Sequence, residues 1–194
     1  MITLHVIGIC GKIGSGKDFV ADYICLNYGY TRITVSDIIL EQMAKEGKLN
    51  PSREDKTNFN KEKIAKYGIN YWMDLIIKKI KDEKLNKVVV AGLRYPSDIS
   101  SLKEAFGKNF ISFLVDVAPQ IRYERMISRA RADMPQSYED FIEQEKKEDE
   151  TFNLSQTFAM IDYKIDNNGT PERTSKIVDE LMQKLKLGKK KMRK

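Results

Sequence analysis

Histidine, cysteine and long apolar runs are all scarce in this chain. His5 is the only histidine among 194 residues. It falls on the first apolar segment and is not read as catalytic. Two cysteines, Cys10 and Cys25, cannot build a disulfide framework. Cys10 lies in an apolar run and Cys25 on the apolar face of the segment after it. Both read as buried free thiols, which fits a reducing, cytoplasmic setting. No stretch approaches the ~20 apolar residues a membrane-spanning helix needs, so no membrane partner is expected. The first apolar run is short and is followed at once by a glycine-rich loop, unlike a signal peptide. There is no internal repeat. Acidic residues are absent from Lys184–Lys194, which holds seven basic ones. The formal charge of +6 therefore comes from that end, and the rest carries 27 basic against 28 acidic residues. A body so balanced is no basic platform, and a nucleic-acid partner is not expected.

Forty-one per cent of residues are hydrophobic and 32% charged, which suits one domain with one buried core. The pattern alternates. Leu4–Cys10 is a short apolar run rich in β-branched residues and predicts a buried strand. Val20, Ala21, Ile24, Cys25 and Tyr28 share one helical face, and Gly29 ends that helix. Tyr30–Ser36 predicts a second strand and Ile38–Glu46 a helix. Lys48–Asn60 is polar, contains Pro51 and reads as a mobile connection. Lys61–Glu83 predicts a helix broken near Gly68. Strands are predicted at Lys87–Ala91, Phe110–Val117 and Met160–Ile165. Helices are predicted at Asp98–Phe106, Gln120–Ala130, Tyr138–Glu150 and Pro171–Leu187, with a turn at Asp133–Gln136. Such alternation forces crossover connections, hence an α/β three-layer sandwich: a parallel sheet with helices on both faces. Ligands of such sheets lie beyond the carboxyl ends of the strands.

Gly11-Lys12-Ile13-Gly14-Ser15-Gly16-Lys17 has the spacing G-x-x-x-x-G-K between a predicted strand and a predicted helix. Glycines let the backbone wrap a phosphate with its amides inward. The helix N-terminus adds its dipole, and Lys17 places a charge for the β and γ phosphates. The position after the lysine is Asp18, followed by Phe19, where a hydroxyl normally takes part in Mg2+ binding. A carboxylate there could hold the metal, but without metal it would repel phosphate.

Gly8–Ile24, Val88–Pro96 (VVVAGLRYP), Val115–Arg131 and Ile161–Thr170 together resemble P-loop nucleoside and deoxynucleoside monophosphate kinases. The first and last stretches are also similar to dephospho-CoA kinase. The resemblance implies ATP and Mg2+ as cofactors and a nucleotide-like small molecule as phosphoryl acceptor. Gly11 to Phe19 would hold the triphosphate, and Asn167, Asn168, Gly169 and Thr170 would lie near the purine. Asp37, at the end of the second strand, would hold Mg2+ with Asp18 or accept the acceptor's proton; Ser36 or Asp37 would equally cap a helix. Arg94 would clamp the acceptor phosphate. Arg125 and Arg129, with Arg131, would close as a lid, a planar fork being suited to charge spread over several oxygens. Arg122, one turn before Arg125, belongs to the same set, and pairing with the acidic helix is the plainer alternative. Tyr71 and Trp72 read as packing, and Glu139–Glu150 as a solvated face.

The acidic residue that commonly ends the strand before the Gly-x-Arg loop is replaced here by Ala91. On this reading residues 1–188 form one kinase domain, with an acceptor-binding region at 38–85, a lid at 120–150 and a basic tail at 189–194. The alternatives are dephospho-CoA kinase, a nucleotide-binding regulator with little turnover, and an RNA-associated ATPase, which the body charge disfavours.

Overall fold

In the computed structural model, which describes residues 4–128 and 135–189, five strands form one sheet. They are β1 (His5–Cys10), β2 (Thr31–Thr34), β3 (Lys87–Ala91), β4 (Phe110–Asp116) and β5 (Tyr163–Asp166). Their order across the sheet is β2-β3-β1-β4-β5, and every pairing is parallel. The connecting helices are α1 (Lys17–Tyr28), α2 (Val35–Lys45), α3 (Arg53–Tyr67), α4 (Tyr71–Asp82), α5 (Pro96–Phe106), α6 (Pro119–Ser128), α7 (Tyr138–Phe152), α8 (Leu154–Ala159) and α9 (Pro171–Lys184).

Alternation along each strand sorts the apolar residues into two layers. Val6 and Cys10 of β1 face one cluster, which takes Ile38 and Met43 of α2, Trp72, Met73, Ile76 and Ile80 of α4, and Ile99 and Leu102 of α5. Ile7 and Ile9 face the other, filled by Val20, Ala21 and Ile24 of α1 and Val178 and Met182 of α9. The central strand is therefore dry on both sides, as a doubly covered parallel sheet requires. Burial holds the Cys10 thiol well above its ordinary pKa and raises that of Cys25 to about 11.

Three expectations are corrected. Residues 48–60 are not a mobile connection: α3 begins at Arg53 behind a capping box. Ser52 Oγ accepts from the Asp55 amide at 3.1 Å, and Asp55 Oδ2 accepts from the Ser52 amide at 2.8 Å. The capping signal is local, and it outweighs the lack of an apolar stripe in this polar segment. Strand β2 stops at Thr34 and α2 starts at Val35, so Asp37 does not end a strand. Met160 lies after the unexpected short helix α8, and β5 starts only at Tyr163. The turn expected at Asp133–Gln136 lies in part outside the described residues.

Candidate functional site

Strand β1 runs directly into the loop Gly11–Gly16, and α1 begins at Lys17. Gly14 and Gly16 have φ of 77° and 81°, where a side chain is strained. Neighbours enforce two of the glycines as well. A Cβ on Gly11 would lie 2.9 Å from the Val115 carbonyl, and one on Gly16 would press into Asn167 Nδ2. The loop is thus held from both sides. Ser15 is fully buried and its Oγ has no hydrogen-bond partner.

Two long-range contacts lock this loop in place. Asn167, at the end of β5, donates from Nδ2 to the Ser15 carbonyl at 2.7 Å and accepts from Thr174 Oγ1 at 2.5 Å. On the other side, Arg122 of α6 is buried and donates to the Val117 carbonyl at 2.9 Å and the Ile13 carbonyl at 3.4 Å. Its guanidinium pairs with Glu145 of α7, itself buried, and Lys12 Nζ lies 3.6 Å from the same carboxylate. Removing one member of a buried ion pair typically costs about 3–5 kcal/mol, because the other charge is stranded. Arg122 is therefore a buttress beneath the loop and not a lid arginine, and the face of α7 that carries Glu145 is not solvated.

Arg125 stands one turn further along α6. Its Nη2 donates to the Asn167 carbonyl at 2.9 Å, and its Nη1 would be 3.9 Å from a Cβ on Gly16. The structure so brings Arg125 to the mouth of the loop beside Gly169. Asn168 accepts from the Ala118 amide at 2.7 Å, and Thr170 caps α9. Arg129 and Arg131 lie outside the described residues. Phe19 is partly exposed on α1, its ring 6.3 Å from that of Tyr23.

A cavity of about 500 Å³ opens beside Lys17 at the carboxyl ends of β2 and β3. Its walls come from α2 (Val35, Ser36, Ile39), α3 (Lys56, Thr57, Asn60) and α4 (Trp72, Met73), and from the β3–α5 loop (Gly92, Arg94, Tyr95). Apart from the first turn of α2, these helices fall in the segment 38–85 that the sequence reading reserves for an acceptor. Trp72, read there as packing, is buried yet lines the cavity, and its Nε1 has no partner. Arg94 also lines the cavity. Its guanidinium stacks on Phe152 of α7 at 4.8 Å and stands 3.5 Å from Glu148. The loop that carries it is fixed by Asp98, whose Oδ2 accepts from the amides of Arg94 at 2.8 Å and Tyr95 at 3.0 Å. Burial raises the Asp98 pKa, opposed by those two amides.

The expected metal ligands fare differently. Asp37 sits in the first turn of α2 and completes a capping box with Thr34: its amide donates to Thr34 Oγ1 at 3.0 Å and its Oδ2 accepts from the Thr34 amide at 3.1 Å. It does not line the cavity. Asp18 does, but it is paired with Arg32 of β2. Ala91 ends β3 without a carboxylate. Among the described residues no three His, Cys, Asp or Glu side chains converge on a point that could hold a metal ion. Mg2+ bound with a nucleotide commonly takes one or two protein carboxylates beside phosphate and water. Asp37 serves the helix cap and Asp18 is tied to Arg32, so the two carboxylates expected to share the metal do not line the cavity together.

Arg32, Asp98 and Glu145 were not among the expected site residues, and Asn167, expected near the purine, instead holds the loop through the Ser15 carbonyl. Only Asp98 carries a local signal: it stands three residues after Tyr95, at a capping spacing. The others act through partners distant in sequence.

A phosphate-type loop between β1 and α1, at the carboxyl edge of a parallel sheet ordered β2-β3-β1-β4-β5, defines a P-loop kinase-like fold. The chain belongs to the AAA domain family AAA_18, whose profile matches residues 7–153. It is 31% identical to a UPF0200 protein of Thermococcus onnurineus, over 93% of this chain and 97% of that protein. A UPF0200 protein of Thermococcus kodakarensis is 30% identical over 93% of this chain and its own full length. In structure the chain is similar to shikimate kinase from Bacteroides thetaiotaomicron, with a TM-score of 0.63, 13% identity, and coverage of 94% of this chain and 98% of that one. A shikimate kinase from Acinetobacter baumannii, in complex with shikimate, matches with a TM-score of 0.60, 14% identity, and coverage of 95% and 94%. No helix among the described residues is long and apolar enough to cross a membrane.

Proposed function

We propose that this protein transfers the γ-phosphoryl group of ATP to a small anionic acceptor of nucleotide type. The observation that carries the reading is the shared cavity: Lys17 of the triphosphate loop and Arg94 of the acceptor-side loop line the same 500 Å³ space. Phosphoryl transfer needs little covalent help from protein; it needs two reactants in line and cations around the moving charge. Lys17, Lys56 and Arg94 supply positive charge to the walls, and Ile39, Ile69, Trp72, Met73 and Phe152 supply an apolar, partly aromatic surface suited to a planar ring. An acceptor with a ring and an anionic group matches both halves.

In this reading the loop amides and Lys17 hold the β and γ phosphates, and Arg125 adds a guanidinium at the loop mouth. Arg94 leaves Glu148 and Phe152 for the acceptor's anion, a bidentate partner stronger than the 3.5 Å pairing it replaces. The fold implies Mg2+ alongside the nucleotide, which would shield the phosphate charge when bound. The free thiols at Cys10 and Cys25 fit a cytoplasmic protein.

The test is a phosphotransfer screen with ATP against ribo- and deoxynucleoside monophosphates, dephospho-CoA and shikimate, each in native protein and in Lys17→Ala. Transfer to one of the monophosphates, lost in the variant, is the expected result. Transfer to dephospho-CoA or shikimate alone moves the acceptor class, and an unchanged ATP affinity in Lys17→Ala overturns the assignment of the loop.

A further inference from the structure

Asp18 is the feature of the loop that its chemistry least explains. A carboxylate directly after the phosphate-binding lysine adds negative charge where several more arrive with the ligand. The usual remedy would be a divalent cation, yet the neighbouring carboxylates are engaged elsewhere. The compensation found instead is a side chain from another strand. Arg32 projects from β2, whose backbone is pinned in register with β3 by the pairing of Arg32 with Val89. Its Nη1 donates to Asp22 Oδ1 at 2.6 Å, and its Nη2 donates to Asp18. Asp18 and Asp22 are one turn apart on α1, so a single planar fork spans both carboxylates. Asp18, Arg32 and Lys17 line the same cavity. The Arg32 Nε is buried without a partner, so the guanidinium is oriented by its two carboxylates.

We propose that Arg32 is a positioning residue that neutralises Asp18 and turns it along α1, so that the loop accepts a triphosphate without Asp18 serving as a metal ligand. This rests on the reading of Gly11–Lys17 as a triphosphate loop. A lysine at position 32 would replace the planar fork by a shorter point charge and lose the fixed geometry that spans both carboxylates. The arrangement also separates two roles that the sequence leaves merged, since Asp18 is adjacent to the metal position by number but tied to a guanidinium in space.

The test titrates ATP, and in parallel inorganic tripolyphosphate, into native protein, Arg32→Ala, Arg32→Lys, Asp18→Asn and the double variant Arg32→Ala/Asp18→Asn, each with Mg2+ and with chelator. Thermal melts confirm that every variant is folded. Arg32→Ala is expected to weaken metal-free binding about tenfold, the scale of one uncompensated charge near the surface. Arg32→Lys falls between native and alanine. The double variant recovers native affinity, because the charge that needed a partner is gone. Mg2+ is expected to raise affinity by the same factor in native protein and in Asp18→Asn. A double variant as weak as Arg32→Ala would mean that Arg32 meets the phosphates directly, and would overturn the proposal. So would native affinity in Arg32→Ala, or a Mg2+ effect that disappears in Asp18→Asn. Native protein that binds tripolyphosphate but not ATP would sink the nucleotide reading while leaving this comparison intact. Binding of neither overturns both.

Discussion

Gly16 shows how tightly a single position is determined. Its backbone is left-handed, with φ of 81°, and the space a side chain would need is taken by Asn167. Alanine there meets both constraints at once. Gly16→Ala is expected to lose about 1–3 kcal/mol from backbone strain, read by urea denaturation, and to weaken ATP binding more than that loss of stability accounts for. Full affinity in a folded variant would show that the Gly16–Asn167 contact does not shape the loop. The loop itself is legible in the sequence, because its chemistry is written in seven consecutive residues. Its supports are not. Asn167 meets Ser15 across 152 positions, Glu145 meets Arg122 across 23, and Arg32 meets Asp18 across 14. Nothing in residue type distinguishes these side chains from the many other polar ones around them. Topology alone brings each to its partner.

At the scale of elements, strands were easier to read than polar helices. Val88-Val89-Val90 and the β1 run are buried on both faces and read as continuous apolar segments, as central parallel strands do. Helix α3 has no such mark. Of its 15 residues, Phe59 and Lys63 are the ones classed as buried among those whose side chains are described. What starts it is the Ser52–Asp55 capping box, and what anchors it is Lys63, 2.5 Å from Glu46 at the end of α2. An apolar-periodicity reading therefore passes over its first two turns. Ser52→Ala is expected to cost about 1 kcal/mol, seen as a lowered melting temperature and faster amide exchange confined to the start of α3. Because Lys56, Thr57 and Asn60 of this helix line the cavity, a fully native exchange pattern would separate the cap from the integrity of that wall. Helix α7 illustrates the opposite error. Its acidic composition implies a solvated rod, but Phe141, Glu145, Glu148 and Phe152 follow a three-four spacing along one face. That face meets Arg122, Lys12, Arg94 and Tyr95 in turn.

For the molecule as a whole, the sheet order places the triphosphate loop at the centre and the cavity on the β2–β3 side. The loop is held by α6, α7 and β5, and the cavity is walled mainly by α2, α3 and α4, with Phe152 of α7 closing one side. The chain contains one tryptophan, and it lines the cavity. Trp72 is 4% exposed, stands edge-on to Tyr71 at 4.8 Å and tilted to Phe59 at 6.2 Å, and has an indole N–H without a partner. The molecule thus carries a built-in optical probe of one half of its site. Emission from a lone indole reports the polarity and hydrogen bonding around that ring. An acceptor entering the cavity is expected to shift or quench it, while a triphosphate bound at the loop alone leaves it nearly constant. Titrating each ligand separately and following the emission maximum checks this; equal responses to both would show that the two halves of the site are not optically separate. With that separation, the order in which substrates arrive becomes a matter of colour, readable in unlabelled protein before any phosphoryl group has moved.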